Sequence, residues 1–353
     1  MCEKRKLDRL KQVLNTLNRD YETFELGDLE LLSGMRLPDA RLTYKTYGTL
    51  NRNADNAVLM PTFYTGTHLR NEGFFGPGRA IDPGRHFVVS INMFGNGYST
   101  SPTNATSAAR GANFPRITLY DNVAAQQRLL AERLGVEQLA LVAGWSMAGC
   151  QSFQWGAQFP DRVKAIVPFC ASAKVSVHNF VFLEGVKAAL VADCDFKNGH
   201  YSTPPVRGLK AFGRVYAGWA FSQTFFREHL YRSLCFETVE ELLVDWESDH
   251  VDNWDANNLL AKLHTWQCAD ISAGPIYDGD FAAALGSISA RAIVIPCSDD
   301  LYFPPEDNAL EVEKMPNAEL RVFNSAFGHA VASPGAVPEF ARFLDEAIRE
   351  LLP

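Results

Sequence analysis

No apolar run in this chain approaches the roughly 20 residues that a bilayer-spanning helix requires, so a membrane is not an expected partner. The N-terminal MCEKRKLDRLKQVLNTL is too charged for a secretory signal and contains no apolar core segment. Leu7, Leu10, Leu14 and Leu17 instead mark one face of a short amphipathic helix, expected to pack or to make a dimer contact. Basic residues are not in excess: 33 Lys and Arg stand against 41 Asp and Glu, a net charge of −8, which leaves no footprint for nucleic acid. CxxC pairs, HExxH and EF-hand loops are missing, so no metal is implied. GRAIDPGR (78–85) lacks the Lys-Ser/Thr of a phosphate-binding loop, and GNGYST lacks the third glycine of a dinucleotide fingerprint. Internal repeats and low-complexity segments are absent too. The seven cysteines, at 2, 150, 170, 194, 235, 268 and 297, are scattered and several sit in apolar runs. Buried thiols in a reducing compartment explain them better than a disulfide framework, and a cytoplasmic location is expected.

What is present is an enzyme-sized globule, 353 residues with 47% hydrophobic and 21% charged side chains, long enough for one large domain with an insertion. Short apolar runs bounded by turn residues occur at 57–60, 86–91, 139–143, 165–169, 292–296 and 320–323, with helical patterns at 122–134, 150–158 and 338–351. That alternation predicts an α/β fold, a mostly parallel sheet covered on both faces. From about 172 to 287 the alternation gives way to successive helical segments that carry four of the six tryptophans. The expected organisation is a core of residues 1–171 and 288–353, with a helical cap of 172–287 inserted over the carboxyl ends of the strands.

The stretch LVAGWSMAGCQSFQWG (141–156) carries the chemistry. An apolar strand runs into a tight turn holding Ser146, and a helix follows. A serine hydroxyl needs exposure and a base to act as a nucleophile, and such an elbow supplies the exposure when its neighbours are small. Gly144 and Gly149 qualify, while Ala148 stands where glycine is commoner. Partners follow in the order acid then histidine: Asp299 in SDDLYFP after one late strand, and His329 in NSAFGHA after the next. Asp300 is the alternative acid, with Asp299 favoured. The N–H groups of Met147, at the helix start, and Tyr64, in the loop of VLMPTFYTGTH (58–68), are the expected oxyanion donors. Trp145, Trp219, Trp266 and Tyr302 are candidate pocket residues. His178 and His264 in the cap are read as packed or lining.

Taken together, LTYKTYGTLN (42–51), PTFYTGTH, GPGRAIDPGRHFVV (76–89), NMFGNGYSTSP (92–102), FPRITLYDNVAAQQRLL (114–130), GWSMAG, DANN (255–258), SDDLYFP and GH resemble, in order and over most of 20–350, the homoserine O-acetyltransferase group of the α/β-hydrolase superfamily. That group also contains esterases. The resemblance implies an α/β-hydrolase fold, a ping-pong Ser-His-Asp mechanism through Ser146, Asp299 and His329, a helical cap and a cap-mediated homodimer.

The acceptor side departs from the homoserine enzymes. They carry an aspartate after the catalytic histidine, where this chain has Ala330. Their Tyr-Arg-Ser segment corresponds to AGWAFS (217–222), and their Arg-Ala-Met-Asp segment to HTWQCAD (264–270). A zwitterionic amino acid needs a fixed cation and a fixed acid; Arg214 is the nearest substitute, and an ion-pair role suits it better. The expected activity is hydrolysis of a small or medium, largely apolar carboxylic ester, with no cofactor. The alternative is O-acyl transfer to an alcohol or amino-acid-like acceptor with acetyl-CoA as co-substrate, and a non-catalytic binding scaffold is the third reading.

Overall fold

Five-residue strands with every residue buried build the middle of the molecule, in a computed structural model that describes residues 20–352. The amphipathic helix expected at the N-terminus lies outside the described residues. The strands are β1 (Glu22–Glu30), β2 (Arg36–Tyr47), β3 (Ala57–Pro61), β4 (Phe87–Ile91), β5 (Leu141–Trp145), β6 (Ala165–Phe169), β7 (Arg291–Val294) and β8 (Ala318–Leu320). They form one eight-stranded sheet in the order β1-β2-β4-β3-β5-β6-β7-β8. From β4 through β8 all neighbours are parallel, whereas β1–β2 and β2–β4 are antiparallel.

Alternate residues of each strand serve opposite faces. Leu59, Val89, Val142 and Ile166 join one core cluster with Val123, Phe153 and Trp155, from helices α1 (Leu119–Arg128) and α2 (Met147–Gln158). Val58, Val88, Leu141 and Val167 join another with Phe340, Leu344 and Ile348 of α10 (Pro338–Arg349). Burial on both faces is why these strands read as unbroken apolar runs, and each such side chain contributes about 2 kcal/mol.

Between β6 and β7 the chain runs through α3 (Val177–Val191), α4 (Val206–Ala220), α5 (Gln223–Arg227), α6 (Val239–Asn253), α7 (Ala256–Gln267) and α8 (Phe281–Gly286). Helix α4 ends at Phe221, which is extended, and Ser222 starts α5 by capping the Phe225 N–H. The base of this insertion is closed by an antiparallel bridge between Lys174 and Asp270, whose side chains pair at 2.7 Å. Residues 271–287, counted above with the cap, pack elsewhere: Ile271, Ala284 and Leu285 belong to the sheet cluster with Trp155. Helices α3 to α7 have their own cluster, built on Phe182, Phe212, Tyr216, Leu259 and Trp266, which reaches down to Tyr64, Met147 and Tyr302 of the core. Among the described residues no helix is long and apolar enough to cross a membrane.

The segment leaving β6 is pinned from below by helix α9 (Pro305–Val312). Glu311 accepts the Ala173 N–H at 2.8 Å and a side-chain N–H of Asn308 at 2.8 Å, and Asn308 also donates to the Ala171 carbonyl. Burial pushes the Glu311 carboxyl up to about 8, from an ordinary 4.5. The folded state therefore holds this proton more tightly than the unfolded chain. The group's contribution to stability is complete below about 4.5 and is lost as pH rises to about 8. Thermal melts between pH 5 and 8 are expected to show wild-type Tm falling relative to E311Q; parallel curves for the two proteins would reject the assignment.

Candidate active site

Ser146 sits between β5 and α2 at φ 59° and ψ −129°, a left-handed conformation unusual for a side-chain-bearing residue. Such a conformation costs about 1–3 kcal/mol and persists only where its surroundings hold it. Here the Ser146 N–H donates to the Phe169 carbonyl at 3.0 Å, and its own carbonyl accepts the Cys150 N–H at 3.0 Å. Two glycines make the turn possible. A Cβ on Gly144 would lie 2.5 Å from the Ala148 Cβ, and one on Gly149 would lie 2.5 Å from the Ala171 Cβ. The alanine at 148 is thus compatible with the elbow because Gly144 yields the space its methyl occupies.

His329 lies in a short 3₁₀ turn, Gly328–Ala332, after the β8 edge. Gly328 has φ 60°, and a Cβ there would come within 3.0 Å of the Ser222 nitrogen and 3.1 Å of the Asp299 carbonyl oxygen. The glycine before the histidine is required because the insertion and the acid-bearing loop both touch its backbone. Ser222 Oγ also donates to the Ala326 carbonyl at 2.6 Å.

The acid facing the histidine is Asp300, not Asp299. Asp300 Oδ2 accepts from His329 Nδ1 at 2.8 Å, and Oδ1 accepts the backbone N–H groups of Tyr302 at 2.8 Å and Phe303 at 3.2 Å. Asp299 is half-buried, and among the described residues its carboxylate accepts only the neighbouring Ser298 hydroxyl, at 3.0 Å. With Nδ1 donating to the carboxylate, Nε2 is the ring's acceptor. Trp145 stacks on the imidazole at 5.3 Å between centroids, and Tyr302 lies on it at 4.5 Å.

Ser146 and His329 line a cavity of about 480 Å³, with Phe63, Tyr64, Trp145, Tyr216, Phe221 and Tyr302 among its walls. Neither the Tyr64 nor the Met147 N–H meets an acceptor among the described residues. Consecutive carbonyls of the Tyr64 loop, in contrast, are all held. Thr62 accepts from Gln151 at 2.9 Å and Phe63 from the Gly66 N–H at 2.8 Å. Tyr64 accepts from Lys262 Nζ, and Thr65 from Arg70 Nη1 at 2.8 Å.

Two of the four candidate pocket residues, Trp145 and Tyr302, line the cavity. Trp219 and Trp266 do not. Trp219 packs on His178 and Phe182, and Trp266 is fully buried against Tyr64 and Phe303. Trp246 of α6 and Phe221, just past the end of α4, line it instead. His178 and His264 stay outside it, and Arg214 is bound by Glu240 and Glu247. Sequence reasoning missed Arg70, Tyr216 and one face of α6, where Asp245, Asp249 and Asp252 line the mouth at i, i+4, i+7 spacing. That spacing was a readable signal that the three share a face.

Comparison with known proteins agrees with this architecture. The family model of the alpha/beta hydrolase fold matches residues 58–331. An ethyl acetate hydrolase of Pseudomonas veronii is 34% identical over 94% of this chain and 95% of its own length. The solved structure of an acetylester hydrolase from Corynebacterium glutamicum superposes with a TM-score of 0.90, at 36% identity over 94% of this chain and 95% of that one. A homoserine O-acetyltransferase of Nostoc punctiforme is 31% identical over 85% of this chain and 88% of its own. The chain belongs to the α/β-hydrolase family, in the group that unites these ester hydrolases with the homoserine O-acetyltransferases.

Proposed function

We propose that this protein is a serine ester hydrolase acting on small or medium carboxylic esters, acetate esters foremost. The observation that carries the reading is the cavity lined by Ser146, the Asp300-oriented His329 and Tyr64, with the Tyr64 and Met147 N–H groups meeting no acceptor among the described residues. Ser146 Oγ attacks the ester carbonyl carbon while its proton passes to His329 Nε2. The N–H groups of Met147 and Tyr64 hold the oxyanion, a contribution of about 3 kcal/mol per donor. The alkoxide leaves with the His329 proton. Water then attacks the acyl-enzyme, giving a proton to Nε2, and that proton returns to Ser146 as the acid departs. The steps balance with ester and water alone, and require no cofactor.

Hydrolysis is favoured over transfer from acetyl-CoA by the charges around the cavity. Arg70 is its lining cation, whereas α6 contributes the carboxylates of Asp249 and Asp252, a poor reception for a polyanionic phosphate donor. Ala330, buried beside His329, supplies no acid for an amino-acid ammonium. The named hydrolases among the relatives support the same choice.

Purified protein is expected to turn over p-nitrophenyl acetate without releasing thiol from acetyl-CoA, with or without an alcohol or amino-acid acceptor. Acceptor-dependent thiol release would favour the transferase reading. Absence of both activities, with Ser146 unlabelled by a fluorophosphonate, would remove the enzymatic one.

Within the triad, S146A is expected to lower kcat by about 10⁴-fold or more, and D300N by about 10³–10⁴-fold, with little change in Tm for S146A. D299N should keep kcat near wild type. A large loss in D299N with D300N spared would reverse the assignment.

A homodimer suits the exposed apolar stripe of α3, in which Val177 is 82%, Phe180 44% and Val181 59% accessible. Sedimentation velocity should find a dimer that V181E converts to monomer; a monomeric wild type defeats this part.

A further inference from the structure

Lys262 is a fully buried lysine that the reaction above does not use. It belongs to α7, the last helix before the Lys174–Asp270 bridge, and sits on that helix's inner face with Leu259, Leu263 and Trp266. Burying an ammonium is costly unless polar or π partners replace its water. The partners here are the Tyr64 carbonyl, to which Nζ donates, and the Trp254 ring, whose centroid is 3.8 Å from Nζ. The ring of Tyr64 itself lies 5.1 Å away. Burial, with Arg70 adding repulsion, pulls the ammonium well below the usual lysine range. Nζ is a donor in either protonation state, so the contact with the Tyr64 carbonyl survives the shift.

The same helix grips Tyr64 a second time, because the Tyr64 hydroxyl donates to the Leu259 carbonyl at 2.9 Å. The stem of Lys262 is fitted to the opposite wall: a Cβ on Gly95, at φ 83°, would meet its Cγ at 3.1 Å. Thus Tyr64, whose N–H is assigned above to the oxyanion, is held by the core on one side and by the insertion on the other. Gln151 and Arg70 fix the neighbouring carbonyls at Thr62 and Thr65, and Gln151 is itself tied through Gln126 to Trp155. Of the carbonyls from 62 to 65, Tyr64 alone is held by the insertion.

We propose that Lys262 is a positioning residue for the oxyanion hole: by holding the Tyr64 carbonyl it lets the helical insertion fix the peptide plane that follows Tyr64, and with it the position of the Cα next to the Tyr64 N–H. The proposal rests on the hydrolase reading, in which that amide stabilises the oxyanion. An insertion displaced from the core withdraws Nζ and the Leu259 carbonyl together, and the loop loses both grips. The hole is complete only when the insertion is seated.

The test compares wild type, K262M, K262Q and W254L. K262M keeps the length and volume but has no donor, and should lower kcat by about 10–100-fold, the scale of a small misplacement of a catalytic group, with KM little changed. A trifluoromethyl ketone, whose adduct with Ser146 places an oxyanion in the hole, should lose affinity for K262M in proportion to kcat/KM. K262Q retains an N–H donor and should recover part of the loss. W254L removes the ring beneath the ammonium and should lower kcat in the same sense by less, which keeps the test open if K262M does not fold. Wild-type kcat in either folded variant, a loss confined to KM, or a K262Q no better than a folded K262M overturns the proposal. Inactivity of the wild type towards every ester would instead overturn the hydrolase reading on which it rests.

Discussion

The side chain of Asp300, with no accessible surface, ties its own turn to His329, 29 residues further along the chain. One oxygen gathers the N–H groups of Tyr302 and Phe303, and the other receives the imidazole N–H of His329. An ionised carboxylate without water is costly unless each oxygen is occupied by donors. Those donors are therefore structural requirements as much as catalytic ones. Satisfying them bends the chain after Cys297 so that Tyr302 turns inward, where its hydroxyl donates to the Tyr216 carbonyl on α4 at 3.0 Å. A single buried charge thereby orients the base, shapes one cavity wall and fastens the insertion to the core.

The insertion meets the core at several such points, and each touches a catalytic element. Ser222 donates to the Ala326 carbonyl, and its backbone crosses Gly328 beside His329. Lys262 and the Leu259 carbonyl hold Tyr64. Around them Tyr64, Phe182, Phe212, Tyr216 and Tyr302 pack ring on ring, four of the pairs at interplanar angles under 20°. Aromatic pairs of this kind add about 0.5–1.5 kcal/mol each beyond simple burial. The aromatic richness of the insertion thus serves mainly its own seating, and only part of it faces substrate.

How far the sequence could be read follows from the same physics. The parallel strands were legible because burial on both faces forces apolar runs, and the elbow because Gly144 and Gly149 are the only residues its contacts admit. The antiparallel pair β1–β2 was not, since β1 is largely exposed, rich in acid and twice shifted in register around Gly27. Asp299 was favoured over Asp300 from the sequence, yet the two are adjacent on one turn, and which one faces the histidine depends on a backbone rotation that composition does not encode. Trp219 and Trp266 were assigned to the pocket from residue type alone, while the phase of each helix decides which face they occupy. Lys262 left a trace that went unread: it stands at the same helical phase as Leu259, Leu263 and Trp266, where a charged residue breaks the apolar stripe.

The division between core and insertion also explains how one scaffold accommodates different acceptors. The constraints on the core are steric and close to absolute. Gly144, Gly149 and Gly328 each occupy a place where a Cβ would strike backbone or a neighbouring methyl, so any member of the family using this turn geometry meets the same demand. The insertion's constraints are chemical and local. A zwitterionic acceptor would need a cation and an acid inside walls formed here by Phe63, Trp145, Tyr216, Phe221 and Tyr302, and an unpaired charge there costs several kcal/mol. An apolar ester incurs no such penalty and benefits from the aromatic walls. Water needs no built site to follow it, being small enough to reach the acyl-enzyme through the cavity mouth. An acyl-enzyme beneath these aromatic walls, with Ala330 rather than an acid beside His329, therefore favours hydrolysis, whereas transfer to a zwitterion requires a cation and an acid built in beside the acyl group.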